Sequence, residues 1–329
     1  MLRKVLDGLG NGYGLTCFDS IRTRGGCSCP SCYRRNSHTE SGLRHGQNGA
    51  LPMSANRLSP SAAMARHAVL LVTGALMLAP FVWMVSLSIK PPGEIFRVSF
   101  WPAQFYGIEN YTKALTEAPL PRYMGNGLIV CALILSLQIV VCAPCAYALA
   151  KLRFFGRELL FGMVLIGLLL PQQVLSLPLF ILGYQLGILN TYAALIFPYV
   201  VSPFGIFLFR QFFKTVPDDV VHAARLDGLS EFAIVWRIMV PMALPAVIAF
   251  SIFSVVGHWN DLFWPLIAVR DQSLMPPPLG IMAFKNGEAG NDYGPLMAAS
   301  TLVVLPLVIA FLAAQRWFVE GLTGGAVKQ

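Results

Sequence analysis

Six stretches of this chain are each apolar enough to lie in a lipid bilayer, and that feature constrains the fold more than any other. A bilayer-spanning helix needs ~20 mostly apolar residues, and its backbone groups must be hydrogen-bonded within the segment or by neighbouring protein. The stretches cover 68–89, 128–150, 159–171 with room to extend to about Leu182, 192–209, 238–256 and 296–314. The first two carry no ionised group, although the second holds Gln138. Gln172 and Gln173 mark the far interface of the third, and prolines 198, 203, 241, 245 and 306 lie inside or at the ends of the last three. Of the residues, 56% are hydrophobic and 12% charged, against ~25% charged in an ordinary soluble domain. The fold class expected is all-α: a polytopic membrane protein with six transmembrane helices.

Six crossings return both ends of the chain to one side, and Lys and Arg choose that side. Eighteen of them fall before the first stretch, in 151–158, in 210–237 and after 314, against six in the opposite loops. If the N-terminal segment is reduced to Arg57 and Arg66, eleven still face six. Both termini are therefore expected in the cytoplasm. Trp101, Trp259 and Trp264 would then stand at the outer interface, with Trp236 and Trp317 at the inner one, as an aromatic belt. The net charge of +8 follows from this loop bias, and no nucleic-acid surface is expected.

Residues 1–63 have a different composition, rich in Gly, Ser, Arg and Asn, with four of the seven cysteines and no apolar period. A disordered extension is expected there. Cys29 and Cys32 have C-x2-C spacing and stand near Cys17, Cys27 and His38, but the second ligand pair of a zinc knuckle is missing, so no metal site is expected. Met53 and Met64 each precede a short lead-in to the first apolar stretch, and translation starting at one of them would make the upstream residues an artefact. The apolar run comes too late and is too long for a signal peptide. Cys131, Cys142 and Cys145 lie inside the second stretch and are expected to pack as small hydrophobes.

The longest inward loop is the most specific part of the sequence. Thr215, Pro217 and Asp218 form a helix start in which side-chain oxygens can accept from orphan N–H groups, and a helix follows to about Leu226. Gly228 can take positive φ and end that helix, and Ser230 with Glu231 can cap the next, which runs into the fifth span. Small Ala223 and Ala224 leave one side thin, so that another protein can approach the backbone. The alternative is an amphipathic helix resting on lipid, but Asp218, Asp219 and Asp227 would be repelled by an anionic leaflet.

Ala223-Ala224-x-x-Asp227-Gly228, followed by Ile238, Pro241 and Pro245, resembles the EAA loop of binding-protein-dependent ABC importer permeases. Where that family usually has Glu before the alanines, this chain has His222, which removes one anionic contact. The resemblance covers roughly residues 64–329. It includes 81–90, Glu109-Asn110-Tyr111, 146–153, 204–213, Trp259-Asn260-Asp261 with 264–266, and 315–328, which look like the carbohydrate-uptake branch and, within it, the second, shorter permease of the maltose-type pair. It implies a type I ABC importer permease fold. A first transmembrane helix and outer loop would occupy 64–124, a permease core with a coupling loop at 215–237 would occupy 125–316, and a cytoplasmic tail at 317–329 would reach between ATPase subunits. It further implies that His222, Ala223, Ala224, Arg225, Asp227 and Gly228 contact an ATPase, and that dimer closure there is transmitted as rocking of the spans.

The partners so implied are a second permease in a heterodimer, an ABC ATPase dimer, an extracytoplasmic solute-binding protein, a sugar or oligosaccharide, and the lipid of a bacterial cytoplasmic (inner) membrane. No cofactor is expected on this chain; ATP and Mg would sit on the partner ATPase subunits. The chain has no G-x-x-x-x-G-K-[ST] loop. Spans three to six show no obvious ion pair of the kind used for proton or sodium coupling. Gln138, Gln172, Gln173, Ser202, Ser251 and Ser254 are candidate pathway groups and equally candidate interhelical hydrogen bonds. Trp259, Asn260 and Asp261 are candidates for an outer gate or binding-protein contact, or for a helix cap with an interfacial anchor. His258 beside them is assigned no chemistry. Cargo other than sugar, such as a sugar alcohol or glycerophosphate, remains open. A membrane-embedded enzyme would need convergent catalytic groups, and none are found, so no catalytic residue is expected. A secondary transporter would need interrupted helices in matching halves, and the prolines do not fall that way.

Overall fold

A computed structural model describes residues 60–286 and 290–323. The expectations for residues 1–59, including the cysteine cluster and a start at Met53, lie outside the described residues, as does the end of the tail from 324.

Helix α1 (Pro60–Ser88) begins three residues before the expected end of the extension at 63 and keeps Pro80 within it. Most of its length is exposed, as suits a helix whose neighbours are lipid or other chains, and it becomes buried near Ser88. Just beyond, Lys90 is buried, donates to the carbonyls of Arg97 and Ser99, and lies 5.0 Å over the Trp83 ring. Asn110 of α2 (Gly107–Thr116) donates to the Ser88 and Lys90 carbonyls at 3.0 and 2.9 Å, closing the loop after α1 back onto the end of that helix.

Helix α3 (Leu120–Lys151) is an unbroken rod of 32 residues, with proline in its first turn and Lys151 in its last, where a cation suits the helix dipole. After Gly156 at φ +83°, α4 (Arg157–Leu169) runs to Pro171. Because the residue before a proline is driven out of the helical region, Leu170 is extended at ψ 120°, and α5 (Gln172–Gln185) leaves at 102° to α4. The third span therefore turns sharply at Pro171 and does not continue straight toward Leu182.

Helix α6 (Tyr192–Ile196) is capped by Thr191 and passes through a 3-10 turn to α7 (Pro203–Thr215), whose N-cap Ser202 accepts from Gly205 N–H at 3.1 Å. The two parts of this span meet at 42°. Helix α8 (Asp218–Leu226) ends at Gly228, φ +81°, and α9 (Glu231–Ile234) follows under an N-cap by Ser230. A π-helical turn (Val235–Met239) and α10 (Val240–Met242) lead to an 83° bend into α11 (Leu244–Trp259). Helices α12 (Phe263–Ala268) and α13 (Pro277–Gly280) belong to the loop after α11, and α14 (Tyr293–Thr323) is the last helix described, continuing beyond residue 317. The strand pairing described is a two-residue antiparallel ladder, Lys285–Asn286 with Gly290–Asn291, which leaves the class all-α.

Helices α1, α3 and α14 are each long and apolar enough to cross a bilayer, and the three bent pairs bring the total to six when each counts as one span. One buried cluster joins Tyr147, Phe209, Phe213, Ile234, Met239 and Phe250 beside α8. A second joins Tyr123, Trp259, Leu296 and Val303 near the opposite end, and a third gathers Ile134, Leu195 and Trp264.

Candidate functional site

Two features stand out: the presented helix α8 at one end of the bundle, and a cleft between the broken spans. Helix α8 is amphipathic in an unusual way. Val221 and Ala224 (3% exposed) face the buried cluster, whereas His222, Ala223, Asp227 and Gly228 are exposed. Of the two alanines, then, only Ala223 lies on the open face; Ala224 seats the helix on its own protein. Leu226, 89% exposed, projects beside them. Sequence reasoning passed over it, because a leucine in a helical period reads as core.

The start of α8 differs from expectation. No side chain caps it: Thr215 Oγ1 donates back to the Phe212 carbonyl at 2.8 Å, and Pro217 occupies the N-cap position. Asp218 instead accepts from Lys151 Nζ at 2.5 Å, and the same ammonium donates to the Val216 carbonyl at 2.5 Å. That hydrogen bond and its charge hold the Asp218 carboxyl below the usual carboxylate range. At the other end, Arg225 Nε donates to Glu231 Oε1 at 2.7 Å, and Tyr147 Oη donates to Glu231 Oε2 at 2.5 Å. The Glu231 hydrogen bond raises the Arg225 pKa.

Close by, the buried Arg210 guanidinium lies 3.5 Å from the Phe161 ring centroid, donates from Nε to the Leu149 carbonyl at 3.2 Å, and approaches Glu158 at 3.8 Å. This ion pair at the span ends was not visible as a pair in the sequence, because its partners are far apart along the chain.

The cleft has a volume of about 270 Å³ and is lined by Gln138, Gln172, Ser202, Ser254, His258 and Asp261, with Phe204, Phe250 and Phe253. Gln138 is its centre. Ser254 Oγ donates to Gln138 Oε1 at 2.6 Å, and Gln138 Nε2 donates to the Tyr199 carbonyl at 2.8 Å and lies 3.3 Å from His258 Nε2. Four of the six candidate pathway residues thus share one cavity while two of them also bond across helices. Gln173 lines an adjoining pocket with Ser176. Ser251 bonds to the Val247 carbonyl of its own helix and faces a separate apolar pocket. His258 joins the cleft and packs against Tyr199 with ring centroids 4.5 Å apart and planes tilted by 54°, a pairing whose members are distant in sequence.

The outer triplet divides. Trp259 is buried (2% exposed), packs with Tyr123 and Leu296, and donates from Nε1 to the Val303 carbonyl at 3.1 Å. It is neither a surface contact nor a belt residue. Trp264, 5% exposed, is likewise internal and bonds to the Ala194 carbonyl at 2.8 Å. Trp101, at 80% exposed, is open. Trp236 is half-buried against Phe232, and the Trp317 side chain lies outside the described residues. Asn260 is exposed and bonds to the Val256 carbonyl at 2.8 Å. Asp261 accepts from Tyr199 Oη at 2.6 Å and from Phe263 N–H at 3.0 Å, so it caps α12 while facing the cleft. Among the described residues no three His, Cys, Asp or Glu side chains gather to hold a metal ion. Cys131 and Cys142 are buried and Cys145 exposed.

The chain is similar to proteins already known. Residues 138–324 match the family of binding-protein-dependent transport system inner membrane components. The arabinooligosaccharides transport system permease protein AraQ of Halalkalibacterium halodurans is 35% identical over 254 residues, 76% of this chain and 90% of that one. The diacetylchitobiose uptake system permease protein NgcG of Streptomyces coelicolor is 33% identical over 265 residues, 80% and 88% of the two chains. Among solved structures, a bacterial ABC transporter involved in the import of the acidic polysaccharide alginate has a chain that superposes with a TM-score of 0.69 at 20% identity, covering 79% of this chain and 98% of that one. At that identity the likeness concerns the fold.

Proposed function

The chain belongs to the family of binding-protein-dependent transport system inner membrane components, the membrane permeases of ABC importers, and from that membership we propose that it forms half of a pathway for a sugar or oligosaccharide. The observation that carries the mechanism is α8: a short helix at the end of the bundle, seated by Val221 and Ala224, with His222, Ala223, Leu226, Asp227 and Gly228 open for a partner.

We read that partner as one subunit of an ABC ATPase dimer, which would hold ATP and Mg, while this chain holds no cofactor. A second permease would complete the pathway, and an extracytoplasmic solute-binding protein would deliver cargo at the opposite end. The Lys and Arg bias supports a cytoplasmic position for α8 and for both termini. The division proposed is a first spanning helix and outer loop over 64–124, a permease core over 125–316 with the coupling loop at 215–237, and a tail from 317. The arabinooligosaccharide and diacetylchitobiose relatives support a sugar cargo. So does the cleft, whose lining combines amide, hydroxyl, imidazole and carboxylate groups with aromatic rings, a combination that suits a polyhydroxy solute.

The test is co-purification. Asp227→Lys and Leu226→Ala alter only the open face, so each chain should insert in the membrane at normal levels yet retain about tenfold less ATPase subunit, the loss expected on removing one anchoring contact. Wild-type retention of the ATPase by both variants would remove α8 as the docking element.

A further inference from the structure

Helix α8 is tied to α3 at both of its ends, by side chains that stand one turn apart on α3. Tyr147 and Lys151 are i, i+4 neighbours and so share a face. Tyr147 holds Glu231, which holds Arg225 at the last turn of α8. Lys151 holds Asp218 at the first turn and the Val216 carbonyl just before it. Seven residues of helix, ~10 Å, separate the two attachments on α8, so the helix cannot tilt about one of them without breaking the other.

Nine residues before Tyr147, ~14 Å along the same rod, Gln138 bonds to Ser254 of α11 and to the Tyr199 carbonyl at the break in span four. Pro144 lies between and removes one backbone bond, yet α3 continues as helix with Cys142, Ala143 and Ala146 wholly buried around it. The covalent route forward from α8 to the cleft passes a π-helical turn and an 83° bend before reaching α11, whereas the route back runs through α7, which packs along α3, to Ser202 and Phe204. The Arg210 and Glu158 pair contacts neither end of α8.

We propose that α3 is the transmission rod of this permease, with Tyr147 and Lys151 as the positioning residues that pass displacement of α8 to the Gln138 network in the cleft. The proposal rests on the assignment of α8 as the ATPase-docking helix. Neither residue lies on the open face of α8, so docking and transmission are separable.

The experiment uses the assembled complex with its ATPase and binding protein, and a reporter cysteine at Gly257→Cys. Gly257 lines the cleft and has nothing within 4 Å of where a Cβ would stand. Labelling by a methanethiosulfonate cation, counted above the chain without the reporter, is compared with no nucleotide and after ATP with vanadate. In Tyr147→Phe/Lys151→Gln the ATPase should co-purify at the wild-type ratio, while the nucleotide-dependent change in labelling rate falls about tenfold, the size of an ordinary coupling between sites. Lys151→Arg, which keeps the donor, should retain most of the change. A double variant with the full nucleotide response would overturn the rod. So would one that loses the ATPase, since the two links would then merely shape the docking face. Failure of the unmodified chain to hold its ATPase would instead sink the docking assignment beneath it.

Discussion

Trp101 and Trp259 show what a single residue can and cannot disclose. Both are tryptophans flanking apolar stretches, and both suit an interfacial belt; one is open to the surroundings and the other sits in a packed cluster with its indole N–H on the Val303 carbonyl. Replacing Trp259 by Ala should cost about 3 kcal/mol through the cavity left, lowering the melting temperature of the purified chain in detergent, whereas Trp101→Ala should leave it nearly unchanged. Equal shifts for the two would contradict the burial described. The difference was not legible beforehand, because burial of Trp259 depends on Leu296 and Val303, which arrive from the last span. Gln138 teaches the same lesson: its polarity inside an apolar stretch marked it, but its partners Ser254 and Tyr199 lie more than sixty residues away. By contrast Gly228 was fully legible, since a helix stop followed by Ser-Glu calls for the positive φ it adopts.

Prolines stand at three helix breaks, but Pro80, Pro144, Pro178 and Pro306 lie inside unbroken helices, so their positions alone told neither which would break a helix nor how far the chain would turn. Pro171, Pro203 and the Pro241 and Pro245 pair fall at or beside bends of 102°, 42° and 83°. The angle depends on which neighbours re-satisfy the freed backbone groups, and sequence order does not show them. The start of α8 is the clearest miss. Thr215 had the right type and spacing for a cap, but Lys151 supplies a cation to Asp218 at that point, while Thr215 turns back into α7. Close approach is equally hidden. Helix α13 rests on α3 through Gly280, where an added Cβ would lie 2.1 Å from Tyr123 Cδ2. Gly280→Ala should therefore destabilise the chain by about 2 kcal/mol through overpacking, read as a fall in melting temperature, and Tyr123→Leu in the same chain should recover part of it. A neutral Gly280→Ala would show that α13 does not press on α3.

At the scale of the whole molecule, charge distribution and fold point the same way. Lys151 and Arg225 bond at the two ends of α8, and Arg210 bonds to the Leu149 carbonyl nearby, so basic residues around α8 are among those that would bias insertion. Such a bias acts through short loops near the span ends, which is where 151–158 and 210–237 lie and where the 183–191 loop has no Lys or Arg at all. A chain inserted the other way would place α8 where no nucleotide is available, so orientation and coupling stand or fall together. Alkaline phosphatase, active only when exported, should be active when fused at Gly187 and inactive when fused at Asp227, while a fluorescent protein that matures only in the cytoplasm should be bright at the C-terminus. Phosphatase activity at Asp227 would reverse the orientation and leave the exposed face of α8 without an ATPase to meet.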